Sequence, residues 1–492
     1  MSIAKNTAYN LVGKVLPLFV SIVTVPAYLH VVGLERYGVL SIGWLLLGYL
    51  GFLELGMGPS LQQRIAMLRD GSASERSDIF WTALWLNCVA GIVGTIALYL
   101  GAHFYFDTLD KVSPEVKAEI ADAIPWLSLA VGVGMLNSVS MGAMKGRERF
   151  LQANIVSSSS SIAMALLPLA VAYFIAPRLD LLIAASLVCR IAAAAVQFLQ
   201  TRKAVPLGPP HRPSWARAGQ LLRFGGWMSV TTILTPLAAS FDRLLIGSWL
   251  GAAAVSLYTV PFNLVSRTKL LPDALSSAIF PRFASIPPDR RDALERNAIE
   301  VTLVLMTPFT LACIVMIGPF LRIWIGDELG ARAEPIAHII LAGWWANAFA
   351  RVSMSRVQGG GRPDIVTKLL LVELPFYFAT LYFLMNELGI IGAALAWSAR
   401  AAIDPLVLMQ YNGQLIPLWR HLATTAILVI LATGVGVLMP YEMPLRWLIL
   451  AVLLLVGMVF GWRNAPDNLK AIAAKALARR TPSTKGSPPR VQ

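Results

Sequence analysis

The sequence predicts an all-α, polytopic membrane protein of about fourteen transmembrane helices, and three observations carry that reading. Of its 492 residues, 57% are hydrophobic and only 14% are charged, with a mean hydropathy of +0.65. A soluble chain carries about 25% charged residues to cover its surface. The apolar residues gather in blocks of transmembrane length, including the runs Ile427–Leu438 and Leu448–Phe460. The Lys and Arg residues fall in alternate loops between those blocks. In hydrocarbon every backbone polar group must be satisfied internally, which leaves helices or closed barrels. Barrel strands alternate apolar and polar residues over about ten positions, and these blocks do not alternate.

At 1.5 Å per residue a helix crosses the bilayer with about twenty mostly apolar residues. The blocks predict helices over 8–31, 38–58, 79–101, 123–144, 153–176 and 179–200, then over 221–249, 253–279, 297–318, 335–355, 365–385, 389–411, 420–439 and 443–462. The opening MSIAKNTAYNLVGKVLPLFV has one early lysine followed by an apolar stretch longer than the core of a cleaved signal peptide, so it predicts a retained first helix. Pro17, Pro26, Pro168, Pro236 and Pro375 lie inside the spans, where proline frees a carbonyl and bends the helix. Span 253–279 is long and contains Arg267, Lys269 and Asp273.

Orientation follows from the basic residues, which favour cytoplasmic loops. With the amino terminus in the cytoplasm, 28 of the 41 Lys and Arg residues fall in the segments placed inside, and seven in those placed outside. An even number of spans returns the carboxyl terminus to the cytoplasm. The longest basic connection, TRKAVPLGPPHRPSWARAG, is broken by Pro and Gly and reads as a linker. The expected organisation is therefore an amino-terminal lobe of six helices over 1–200, a basic cytoplasmic linker over 201–220, a second six-helix lobe over 221–411, two further helices over 412–462, and a basic cytoplasmic tail over 463–492. Parallel-repeat transporters have such lobes. YLHVVGLERYGVLSI and LLIGSWLGAAAVSLYTV share a weak internal likeness. In the tail, Asn468–Arg480 has the spacing of a basic amphipathic helix that could lie on an anionic leaflet.

Several function classes are disfavoured. The formal charge of +14 invites a nucleic-acid reading, but the cations sit in short loops between apolar spans, where topology accounts for them. Cys88, Cys189 and Cys313 lie within predicted helices, without CxxC or HExxH spacing, so no disulfide framework, metal or cofactor is expected. No GxxxxGK[ST] pattern occurs, so the chain has no nucleotide-hydrolysing engine of its own. Membrane polymerases and ligases need a sizeable outer loop, and 102–122 and 319–334 are short; no enzyme is expected. The acidic group Asp107, Asp110, Glu115, Glu119 and Asp122 reads as a solvated outer loop.

Charge inside the spans is the informative feature. A central Arg, Lys or Asp costs about 2.5–3.5 kcal/mol on the insertion scale, so such residues face a cavity or a partner. Arg190 and Glu373 lie deepest, about ten residues from either end of their spans. Lys14 and Glu54 are near enough to the cytoplasmic ends to snorkel. Asp242 and Arg243 are adjacent and need separate partners, whereas Arg400 and Asp404, four apart, are expected to pair with each other. Arg190, Arg267 and Lys269, with Lys14 and Arg243, are the candidates for binding an anionic group. Glu373, with Asp242 and Glu54, is the candidate for ion coupling.

The block GLERYGVLSIGWLLLGYLGFLELGMGPSLQQRIA resembles the start of the Wzx-like polysaccharide flippases of the multidrug/oligosaccharidyl-lipid/polysaccharide exporter superfamily. Gly33, Tyr37, Gly38, Glu54, Leu55, Gly56 and Gly58 carry the likeness, with Glu54 where many relatives have Asp. A second block, FDRLLIGSWLGAAAVSLYTVPFNL with SSAIFPRFA, resembles the start of that family's second lobe through Asp242, Arg243, Gly247, Gly251, Tyr258 and Pro281. The resemblance implies a two-lobed cavity open alternately to each side of a bacterial inner membrane. It implies a lipid-linked oligosaccharide on polyprenyl pyrophosphate as substrate, with buried cations for the pyrophosphate, and a polysaccharide polymerase and chain-length regulator as partners. Lipid-linked peptidoglycan-precursor flippases and multidrug antiporters share the architecture; an antiporter would show a cavity rich in aromatic and acidic groups.

Overall fold

The structure, a computed structural model, describes residues 3–49, 57–68, 72–109, 111–147, 149–205, 207–210, 213–215, 218–219, 241–359 and 362–465. Glu54, Gly56 and the amphipathic tail segment lie outside the described residues. Among those described the chain is helical throughout, with no strand. The helices are α1 (Ile3–Val32), α2 (Leu34–Tyr49), α3 (Met57–Met67), α4 (Ala73–Asp107), α5 (Pro114–Gly146), α6 (Phe150–Phe174) and α7 (Leu179–Ala204). After a helical stretch over 241–250 come α8 (Ala252–Val265), α9 (Leu270–Ser285), α10 (Pro288–Ile325), α11 (Asp327–Gly359), α12 (Pro363–Tyr411), α13 (Leu415–Leu438) and α14 (Pro444–Asn464). Eight of these are long and apolar enough to cross a bilayer, and the apolar part of α1, Leu16–Val32, is shorter.

Three predicted spans take a form that hydropathy does not announce. The 49 residues of α12 would extend about 74 Å if straight, more than twice the hydrocarbon thickness of about 30 Å. Gly389 breaks it, at φ 57° and ψ −132°, so the one element carries both predicted spans 365–385 and 389–411. Span 253–279 is split by a single turn of 3-10 helix, Ser266–Lys269, between α8 and α9. A 3-10 stretch inside a helix marks strain or a hinge, and this one carries both Arg267 and Lys269.

The glycines of the two resembling blocks have physical reasons. Gly33 (φ 83°) and Gly251 (φ 91°) each occupy the left-handed region that lets one helix stop and the next begin after a single residue. A Cβ on Gly38 would overlap the Ala252 carbonyl, and the Ser256 hydroxyl donates to the Leu34 carbonyl at 2.6 Å. Gly247 likewise leaves room for the Tyr105 hydroxyl, which donates to the Leu244 carbonyl at 2.9 Å. These residues weld α2, α4, α8 and the 241–250 helix by close backbone approach, as small residues do between membrane helices.

Contacts divide the chain into two compact units, residues 1–264 with 385–393, and residues 265–384 with 394–492. The division falls beyond the basic linker at 201–220, at the end of α8. In the first unit, α5 packs along α4 and α7, with Gly91 of α4 facing Gly132 of α5. The Ser72 hydroxyl accepts the Glu75 amide at the start of α4, satisfying one of the orphan donors there. In the second unit α10 and α11 pair along their length and are tied at both ends. At one end Arg356 donates to Glu295 at 2.6 Å, and the Asn412 amide donates to the same carboxylate at 2.8 Å. At the other, Glu334 meets Arg446 and lies 3.5 Å from Arg322.

Candidate substrate-binding site

Arg190 has the surroundings of a binding residue. It projects from α7 toward α5, where Gly134 makes room for it: a Cβ there would stand 3.1 Å from Arg190 Nη1. Its buried Nε has no hydrogen-bond partner among the described residues, and no described carboxylate pairs with it. Three residues along α5, Asn137 has a buried Oδ1 with no partner among the described residues. Two turns along α7, Gln197 is fully buried and neither atom of its amide has a partner among the described residues. Helical spacing puts both on the faces that carry Gly134 and Arg190, and the Thr201 hydroxyl closes this seam on the Ser140 carbonyl at 3.2 Å. A guanidinium without a described counter-ion on the same seam as unsatisfied amides has free hydrogen-bonding capacity of the kind an anionic, hydroxyl-rich group would take up.

The other anion candidates stand differently. Arg243 lies over the Phe262 ring at 4.4 Å, with its buried Nε unpartnered among the described residues. Lys14 falls on α1. Arg267 and Lys269 flank Thr268 on the 3-10 turn, and Lys269 Nζ lies 5.8 Å from the Trp344 ring. Asp273, one turn on, pairs with Arg351 of α11 at 3.3 Å. Arg351 joins this charged group without having been singled out in the sequence, because it sits at the edge of a basic loop run that topology already explained.

The coupling candidates divide. Asp242 is fully buried and accepts the Tyr258 hydroxyl at 2.6 Å and the Arg243 amide at 2.8 Å, and Tyr258 stacks on Phe262. That set, all from the second resembling block, is a structural knot of hydrogen bonds and stacked rings. Glu373 behaves otherwise. Its nearest cation is Arg400, with Nε 3.7 Å from Oε2, and neither carboxylate oxygen has a hydrogen-bond partner among the described residues. The expected Arg400–Asp404 pair is not formed. Arg400 turns across the Gly389 break to the other arm of α12, above the Tyr377 ring, because a buried carboxylate needs the guanidinium more than a neighbour on the same helix does.

Sequence reasoning also missed Glu119. It is not a solvated loop residue: it is buried, takes hydrogen bonds from two nitrogens of Arg36 and accepts the Leu179 amide that opens α7.

The charged features of this helical membrane bundle are thus a buried guanidinium with no described counter-ion, a broken helix carrying two cations, and a deep carboxylate. The fold of the chain is that of the solved lipid II flippase MurJ in an inward closed conformation, with a TM-score of 0.69 over 97% of this chain and 100% of that one, at 14% identity. It is also that of an inward-facing multidrug resistance MATE family transporter of the MOP superfamily, with a TM-score of 0.63 over 84% of this chain and 98% of that one, at 15% identity. Residues 32–331 match the polysaccharide biosynthesis protein family, and the chain belongs to it. A putative O-antigen transporter of Shigella flexneri is 29% identical over 412 residues, 83% of this chain and 97% of that protein. The lipopolysaccharide biosynthesis protein WzxC of Escherichia coli K12 is 21% identical over 450 residues, 87% of this chain and 86% of that one.

Proposed function

We propose that this protein is a flippase that carries a polyprenyl-pyrophosphate-linked oligosaccharide across a bacterial inner membrane for surface polysaccharide synthesis. The observation that carries the reading is the likeness to an O-antigen transporter over 97% of that protein's length. Arg190 supplies the chemistry. Its guanidinium offers paired donors to a pyrophosphate, and the amides of Asn137 and Gln197 offer hydrogen bonds to sugar hydroxyls. Arg267, Lys269, Arg243 and Lys14 are further candidates for holding the anion.

Mechanism follows from placing charge only where substrate can neutralise it. A buried cation without a counter-ion raises the energy of the empty site, and an anionic head group lowers it, so binding energy is available to drive a change of access. Two six-helix lobes on either side of the basic linker would rock about the substrate, both termini staying cytoplasmic. Glu373 serves as the proton-coupling group, with Arg400 taking up its charge; Asp242 and Glu54 rank behind it. The lipid-linked oligosaccharide, membrane lipids, and a polymerase with its chain-length regulator are the partners of this reading. In this reading the substrate is moved and no bond is made or broken.

The test is deletion of the gene. Accumulation of a lipid-linked glycan at the inner face, with loss of surface polysaccharide, is the expected result. Unchanged lipid intermediates and unchanged surface glycan would sink the proposal.

A further inference from the structure

Where α10, α13 and α14 of the second unit come together, Glu300, Leu303, Val304, His421, Phe460 and Asn464 line a small cavity of about 100 Å³. Gly461 sets its width. A Cβ there would stand 3.2 Å from the Val304 carbonyl oxygen, so α14 touches α10 at the glycine, and Phe460 and Asn464 wall the space beside it. The His421 and Phe460 rings meet edge to face, with centroids 6.2 Å apart. The cavity lies at one level of the bilayer. Glu300 is the last charged residue before the uncharged run 301–321, His421 precedes the uncharged run 422–438, and Arg463 and Asn464 follow the uncharged run 447–462. Trp462 is exposed at the same level, and tryptophan gathers at the membrane–water interface. Three helices thus pass from apolar to polar at the cavity, which puts it at the height of lipid headgroups. Its polar groups have bonding capacity to spare. Glu300 is half-buried and forms no ion pair or hydrogen bond among the described residues, although Arg296 lies one turn away. Asn464 gives its Nδ2 to the Phe460 carbonyl at 2.9 Å, which leaves Oδ1 to accept.

We propose that this cavity binds the headgroup of phosphatidylethanolamine from the adjoining leaflet. A primary ammonium has three donors and no acceptor, and the Glu300 carboxylate and Asn464 Oδ1 are acceptors for it, the first in a charge-assisted bond. The phosphate, two carbons away, takes the ring N–H of His421 and the positive charge of Arg420, which is exposed on the same turn. Other headgroups fit less well. Choline carries the same charge but has no N–H to donate, and its three methyl groups need more room. Glycerol brings no cation, so its phosphate would add negative charge beside Glu300. The acyl chains lie against Val456 and Val459, which are exposed on the apolar stretch of α14. Soluble phosphoethanolamine carries the same polar groups, but a site at the edge of the hydrocarbon is met first by a lipid. This inference is independent of glycan transport, because none of the residues of the Arg190 seam takes part.

The experiment is native mass spectrometry of the purified full chain in detergent, titrated with phosphatidylethanolamine, phosphatidylcholine and phosphatidylglycerol of one acyl composition. Occupancy of the first bound lipid is the readout. Phosphatidylethanolamine should bind at least fivefold more tightly than either of the others. Glu300→Gln keeps the size of the side chain and breaks no described bond, so it should stay monodisperse and bind phosphatidylethanolamine no better than phosphatidylcholine. His421→Leu should weaken phosphatidylethanolamine binding severalfold. Glu387→Gln alters an exposed acid away from the cavity and should leave the preference unchanged. Glycerophosphoethanolamine, the same headgroup without acyl chains, should fail to displace the lipid at hundredfold excess. Equal binding of the three lipids, an undiminished preference in monodisperse Glu300→Gln protein, or displacement by the chain-free headgroup would overturn the proposal.

Discussion

Arg36 grips Glu119 with two nitrogens, Nε at 2.9 Å and Nη2 at 2.7 Å, while the same carboxylate accepts the Leu179 amide at 3.1 Å. One acidic side chain on α5 thereby fixes the amino-terminal ends of α2 and α7. Removing one partner of a mostly buried pair strands the other. Glu119→Ala should lower unfolding free energy by about 3 kcal/mol and reduce the melting temperature of the detergent-solubilised protein. The paired change Arg36→Met with Glu119→Leu should recover most of that loss. A melting temperature unchanged in Glu119→Ala would show that the pair holds nothing.

Gly38 faces a backbone carbonyl, not a flexible side chain. Gly38→Ala would drive a methyl group into the Ala252 carbonyl and toward the Ser256 hydroxyl. Overpacking of this kind costs about 1–3 kcal/mol, or more when backbone must move. The expected outcome is a sharp fall in monodisperse protein on size-exclusion chromatography. Gly101→Ala, where nothing lies within reach of the added carbon, is the control and should behave as the parent.

The span pattern was legible because bilayer thickness imposes a length on apolar blocks, and α4 to α7 fall where hydropathy puts them. What was not legible arises from partners distant in sequence. Arg400 is four residues from Asp404, yet tertiary packing hands it to Glu373. Glu119 looked like one member of an acidic outer loop, and only the approach of Arg36 and Leu179 reveals it as a latch. Gly134 carried no signal, because its meaning is the guanidinium that arrives from α7. The motif glycines were recognisable by family likeness, but their cause, the contacts with Ala252 and Tyr105, needs the fold.

Topology can be tested directly. With Cys88, Cys189 and Cys313 replaced, single cysteines introduced into loops 59–78 and 351–368 should resist a membrane-impermeant thiol reagent applied to intact cells, and react once the cells are opened. Labelling of either loop from outside would reverse the assigned orientation.

Glu373→Gln preserves shape and hydrogen-bonding capacity while removing the proton that can come and go. The variant should be produced and remain monodisperse, because glutamine has the size of glutamate and leaves no hydrogen bond to Arg400 broken. Transport driven by an imposed proton gradient in proteoliposomes should fall at least tenfold, whereas downhill exchange should persist. Undiminished gradient-driven transport by a well-folded Gln variant would remove Glu373 from the coupling step.

Arg190 allows stability and function to be separated. Removing most buried charges leaves their partner stranded and the protein weakened. Arg190 has no described carboxylate partner, and its Nε is already unsatisfied, so Arg190→Met removes a charge whose insertion alone costs about 2.5–3.5 kcal/mol. The folded protein should be at least as stable as the parent, with an equal or higher melting temperature, and glycan export should be lost. Arg190→Lys keeps the charge but not the planar, paired donors suited to phosphate oxygens, and should retain only a fraction of export. Gly134→Ala should act in the same direction, since the added methyl crowds the guanidinium at 3.1 Å. Melting temperature and surface polysaccharide measured on the same three variants decide the matter. Normal export by a stable Arg190→Met protein would show that this arginine holds nothing that transport needs.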